Sequence, residues 1–167
     1  MNPMPSRLVA LVAVAGLAAC AGKQHVAPPA DSPTAASVSV GGPMPGGMAV
    51  TKLNLNGKQC YQGLTPVPQD AAAPMRIASG ERSFFSAKYD RAGTFCEVIV
   101  SFEPAPQATY MLVPQREPKI LGGGSCSVSV LRVQPDGTSQ PETLERWVMR
   151  SAGVTCVRPQ PAAGRSS

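Results

Sequence analysis

Thiol chemistry is the one reactive chemistry that residue spacing makes specific in this 167-residue chain, which has five cysteines, Cys20, Cys60, Cys96, Cys126 and Cys156. The last four stand 30 to 36 residues apart and form no C-x-x-C pair. They therefore lack the ligand spacing of a zinc site and the dithiol spacing of a redox centre. An even set of widely spaced cysteines in a small chain reads as two disulfides, and disulfides persist in oxidising, extracytoplasmic compartments. Three pairings are possible on paper. Cys20 is different. It follows Leu17-Ala18-Ala19, at the end of an apolar run that begins at Leu8 behind the positive Arg7.

Other chemistries lack a constellation. The single histidine, His25, lies in a Pro/Ala/Ser/Gly-rich stretch expected to be outside the folded region, so no Ser-His-Asp or Cys-His arrangement is expected. Glu97, Glu103, Glu142 and Glu145 fall at solvent-facing positions, and nothing marks two of them as an acid–base pair. Gly122-Gly123-Gly124-Ser125 could cradle a phosphate, but no Gly-Lys-Ser/Thr follows, and a strand comes next where a helix is needed. Asp70, Asp90 and Asp136 lack EF-hand spacing. Met44 and Met48 are soft ligands of the kind Cu(I) takes, yet two methionines in a glycine loop read as loop. The expectation is a chain with no catalytic residues, no metal and no cofactor.

The positive Arg7, the short apolar run and the small residues leading into a cysteine form the layout of a secretory signal peptide. The apolar run is too short to span the ~30 Å hydrocarbon layer. Leu17-Ala18-Ala19-Cys20 resembles the lipobox of bacterial lipoproteins. The resemblance implies cleavage before Cys20, a thioether-linked diacylglyceryl group on its sulfur, and an acylated amine. Ala21 follows the cysteine, where an Asp would imply inner-membrane retention. The expected location is the bacterial cell envelope, lipid-anchored, in the outer membrane facing the periplasm, with the inner membrane or cell surface as alternatives.

Composition sets the organisation. Residues 1–19 read as the signal peptide. Residues 20–47 carry few charges and no aromatics, and cannot bury enough apolar surface to offset their ordering entropy. They read as a disordered tether with a mean reach of about 30 Å. Residues 48–158 read as one β domain and 159–167 as a disordered tail. After removal of Arg7 the side chains carry 14 basic and 10 acidic groups, interleaved as on an ordinary solvated surface. Nucleic acid is not an expected partner.

Within the domain, period-two alternation predicts strands at 50–56, 75–77, 83–89, 95–102, 108–113 and 125–133, with a short one at 154–157. Cys96, Val98, Val100 and Phe102 share one face of their strand, and Phe95, Glu97, Ile99 and Ser101 the other. Pro141, Glu142 and Glu145 early, Arg146 and Arg150 late, and Gly153 beyond predict a short helix over 141–150, with an alternating strand over 143–149 as its competitor. The fold class is mainly β: a small antiparallel sandwich or open barrel with at most one short helix, stapled by disulfides. The strand spacing and the Phe-Glu-Pro turn after a cysteine-bearing strand resemble small proteobacterial envelope lipoproteins. An inferred meander favours pairing Cys96 with Cys126 and Cys60 with Cys156.

Two functions follow as expectations. One is a non-catalytic protein-binding module of envelope or secretion-complex assembly, held to the bilayer through acylated Cys20. The other is a soluble-ligand binder or an inhibitor of a lysozyme or protease, which would insert the 114–124 loop, with Arg116 and Lys119 at its centre, into a cleft.

Overall fold

The computed structural model describes residues 24–91, 93–118, 124–149 and 156–161. The signal segment, Cys20 and Lys119 lie outside them. Eleven strands and no helix occur among the described residues: β1 (Ala35–Val40), β2 (Met48–Leu55), β3 (Tyr61–Pro66), β4 (Met75–Ala78), β5 (Ser83–Arg91), β6 (Thr94–Phe102), β7 (Thr109–Pro118), β8 (Gly124–Val133), β9 (Ser139–Pro141), β10 (Glu145–Met149) and β11 (Val157–Pro159).

The strands form two sheets. The small sheet has the order β4-β1-β7-β8-β9 and the large sheet the order β11-β10-β6-β5-β2-β3. Every pairing is antiparallel except β1 with β7. The long hairpins β5–β6 and β7–β8 are built from β-branched and aromatic runs, alternating over part of their length and apolar on both faces elsewhere, as at Phe84-Phe85 and Tyr110–Val113. In β5, Phe85, Ala87 and Tyr89 enter the main core. In β6, Val100 and Phe102 meet them there, with Cys96 and Val98 at the margin. From the small sheet, Val38, Ile77, Tyr110, Leu112 and Val130 complete this layer, all almost fully buried. Apolar side chains packed between two sheets are the driving force of such a sandwich.

Tyr110 marks the centre. Its ring lies 4.8 Å from that of Phe102, which lies 5.7 Å from that of Phe85. Its hydroxyl accepts a hydrogen bond of 2.9 Å from the Ala105 N–H, so the one polar atom of a buried ring is satisfied.

Four expectations are corrected. First, the stretch read as a tether is folded from His25 onward. Ala35–Val40 is a central strand of the small sheet, with Ala36, Val38 and Val40 buried. Met48 is buried in the core and Met44 packs against it, so the methionines fill space. Second, no helix forms over the described part of 141–150. Glu145–Met149 is a strand paired with β6, because Trp147 is needed opposite Ile99. Third, residues 114–118 belong to β7, paired with β8 through Pro118↔Gly124. Pro114 is tolerated there because β1 pairs only with Thr109–Leu112, which leaves the next residues of β7 at an open edge. Fourth, the fold continues past residue 158: Pro159 pairs with Trp147, and the Gln160 N–H donates to the Arg146 carbonyl at 2.9 Å.

The disulfides are Cys60–Cys156 and Cys96–Cys126. These are the pairs the strand argument selected, but the route differs. The return strand β7 does not pair with β6; it lies in the other sheet. Cys96 on β6 and Cys126 on β8 meet across the sandwich, with Cα atoms 5.7 Å apart.

Candidate functional site

The large sheet curls. Its first and last strands meet where the Val157 N–H donates to the Gln59 carbonyl at 3.0 Å, and Cys60 bridges to Cys156 beside it. The face inside the curl is the one turned away from the small sheet. Leu53, Phe84, Ile99, Trp147 and Val157 form a second core there, separate from the main one. Among the described residues no second sheet covers these side chains; curvature buries them.

Alternation places each residue. Phe84, Ser86 and Lys88 of β5 share this face with Phe95, Glu97, Ile99 and Ser101 of β6, as the registers Phe84↔Ser101, Ser86↔Ile99 and Lys88↔Glu97 require. Trp147 and Met149 of β10 join through Trp147↔Ile99. Leu64 of β3 joins through Leu53↔Leu64. Phe84 and Trp147 meet edge to face at 4.9 Å. The Trp147 indole N–H donates to Ser101 Oγ at 2.7 Å, which satisfies a buried donor. Arg82 lies 5.7 Å over the Trp147 ring and grips Glu145 with both guanidinium arms, the longer at 3.0 Å.

Around this floor lies an apolar rim. Leaving aside Val26, the large hydrophobic side chains exposed among the described residues lie on this sheet in two places: Tyr61 and Leu64 (39% and 48% exposed) beside Leu55 and Leu53, and Phe95 and Met149 (57% and 42%) toward the β5–β6 turn. Polar groups break up the wall between. Ser86 Oγ donates to Glu97 at 2.6 Å, and Lys88 reaches both Asp90 at 3.4 Å and the Phe95 ring at 5.2 Å.

A shallow cleft of about 390 Å³ lies at the Arg82 end of this sheet, lined by His25, Lys52, Glu81, Arg82 and neighbours. Here the expectation that the folded region lacks histidine is corrected. The His25 backbone N–H donates to Thr65 Oγ1 at 3.1 Å, and its Nε2 lies 2.6 Å from the Arg76 carbonyl. A carbonyl only accepts, so Nε2 carries the proton. Burial holds the His25 pKa below its ordinary 6.5; the bond to Arg76 opposes this, and the Lys52 charge adds to it. Burial likewise lowers the pKa of Lys52, with Glu81 pulling the other way. His25 thus spends its ring proton on a backbone carbonyl, which ties the N-terminal segment down. Among the described residues no group of three or more His, Cys, Asp or Glu side chains is placed to hold a metal ion.

Arg116 is not at a loop tip. It sits in β7, its guanidinium 4.1 Å over the Tyr89 ring and its Nε buried without a hydrogen-bond partner. The rim residues escaped a motif search because exposed apolar side chains carry no motif. Their signal was the second face of β6, legible as Phe95-x-Glu97-x-Ile99.

Comparison with protein-family models, with curated proteins and with solved structures finds no match to this chain.

Proposed function

We propose that this protein is a bacterial envelope lipoprotein, anchored through acylated Cys20, whose β domain binds another envelope protein in an assembly role. The observation that carries the binding half of this reading is the second apolar cluster of Leu53, Phe84, Ile99, Trp147 and Val157 on the sheet face away from the main core, with Leu64, Phe95 and Met149 exposed on the same face. Exposed apolar side chains that share one sheet face beside a second core favour a partner, whereas ones scattered over all faces are ordinary. The lipobox-like Leu17-Ala18-Ala19-Cys20 carries the anchoring half, and two disulfides fit an oxidising envelope compartment. The inhibitor reading depended on a projecting 114–124 loop, whose described residues 114–118 are strand.

The test is cross-linking in cells followed by capture of the full chain and of a Leu64→Ser/Phe95→Ser/Met149→Ser variant. The parent should retain a stable set of envelope proteins and the variant should lose them, while both melt at the same temperature. Equal recovery from both would dismiss the apolar face as the binding surface. Capture of added hydrolases alone would favour inhibition. Cys20→Ser should abolish incorporation of labelled fatty acid.

A further inference from the structure

We infer that the His25 end of the domain lies directly against the bilayer, with Lys52, Lys58 and Arg82 facing lipid phosphates, and that the β5–β6 turn points away from it. The inference rests on the anchoring half of the proposed function and adds an orientation to it. Only Ala21, Gly22, Lys23 and Gln24 separate Cys20 from His25, which is already bound into the fold through Thr65 and Arg76. Five Cα–Cα steps span at most about 17 Å. A mean standoff of about 30 Å, as a free 27-residue tether would allow, is out of reach.

His25 sits beside Arg82 and Ser83, where β5 begins. Asp90 and Arg91 end that strand about 27 Å away, at 3.4 Å per residue. The leash is shorter than the domain, so its attachment end is held at the membrane. Chemistry at that end suits headgroups. Val26 is 82% exposed beside the exit point. Lys52 and Arg82 line the cleft, and exposed Lys58 lies on the adjoining turn. The opposing carboxylates are Glu81 in the cleft and Glu145 on Arg82. Basic side chains near a surface are drawn to anionic lipid.

The experiment uses the acylated full chain in vesicles of phosphatidylethanolamine and phosphatidylglycerol carrying a headgroup quencher. Val26→Trp and Asp90→Trp are compared after subtraction of the parent's Trp147 signal. Val26→Trp should be quenched several-fold more strongly, and about a dozen Gly/Ser residues inserted between Gly22 and Lys23 should erase the difference by lengthening the leash. Equal quenching at both sites, in protein whose N-terminal peptide has the acylated mass, would overturn the orientation while leaving the anchor intact. An N-terminal peptide without the acyl mass would overturn the anchor, and the orientation with it.

Discussion

Cys96 and Cys126 face each other across the two sheets, one on β6 and the other on β8. Cys60 and Cys156 instead close one sheet on itself. The two bridges therefore have different tasks: one holds layer to layer, the other holds the curl that creates the apolar face.

Replacing the Cys60–Cys156 pair with alanines should cost about 4.7 kcal/mol and the Cys96–Cys126 pair about 3.6, from loop-closure entropy over separations of 96 and 30 residues. The first variant should also release the second core, seen as a red shift and quenching of Trp147 fluorescence. Denaturant titration of each double mutant gives both readouts. Unchanged Trp147 emission in the first variant would mean that strand pairing alone maintains the curl.

Val38 is fully buried in β1. Val38→Asp should prevent folding, and Val38→Ala should lower stability by roughly 2 kcal/mol through lost burial and the cavity left behind. Urea melts of the domain distinguish this from a tether, for which either change would be silent.

Ser101→Ala leaves the Trp147 indole N–H without its partner in a buried site. A loss of about 1–3 kcal/mol is expected from an unsatisfied buried donor. A red-shifted Trp147 emission in the folded state would accompany any water that enters to replace the hydroxyl.

Because the folded pKa of His25 is depressed, the unfolded state binds more protons as pH falls through 6.5. Stability should be level above that pH, fall as pH drops from 6.5 to the folded value, and level off below it. His25→Phe should flatten this segment of the curve. Hydrogen exchange should show the loosening first at Thr65 and in β4, where His25 makes its two bonds.

Much of the large sheet was legible because β2, β5 and β6 are rich in β-branched and aromatic residues and alternate over part of their length, and both faces of β6 matter. β1 was missed although Ala36, Val38 and Val40 alternate with Ser37 and Ser39. Averaged over the glycines and prolines around it, the pattern looked like tether. Its burial comes from β4 and β7, which are distant in sequence. At Glu145–Met149 helix-type end signals were present, but tertiary demand overrode them: Trp147 caps the second core only from a strand. The rim depends on curvature, which arises from the meeting of β3 and β11, and no local pattern encodes that meeting.

The parallel pairing of β1 with β7 has a consequence for biogenesis. Ser37 takes one neighbour at Arg76 and the other at Thr109. A chain that crosses a membrane N-terminus first would present β1 early, with both its edges bare, until most of the polypeptide had followed. The small sheet cannot close before Leu112 has emerged. Non-local closure of this kind folds slowly and leaves an apolar strand available to other chains. Under the proposed envelope location, a holdase should therefore shelter the emerging N-terminal segment, and variants that delay β7 should aggregate before folding without any defect in the finished domain.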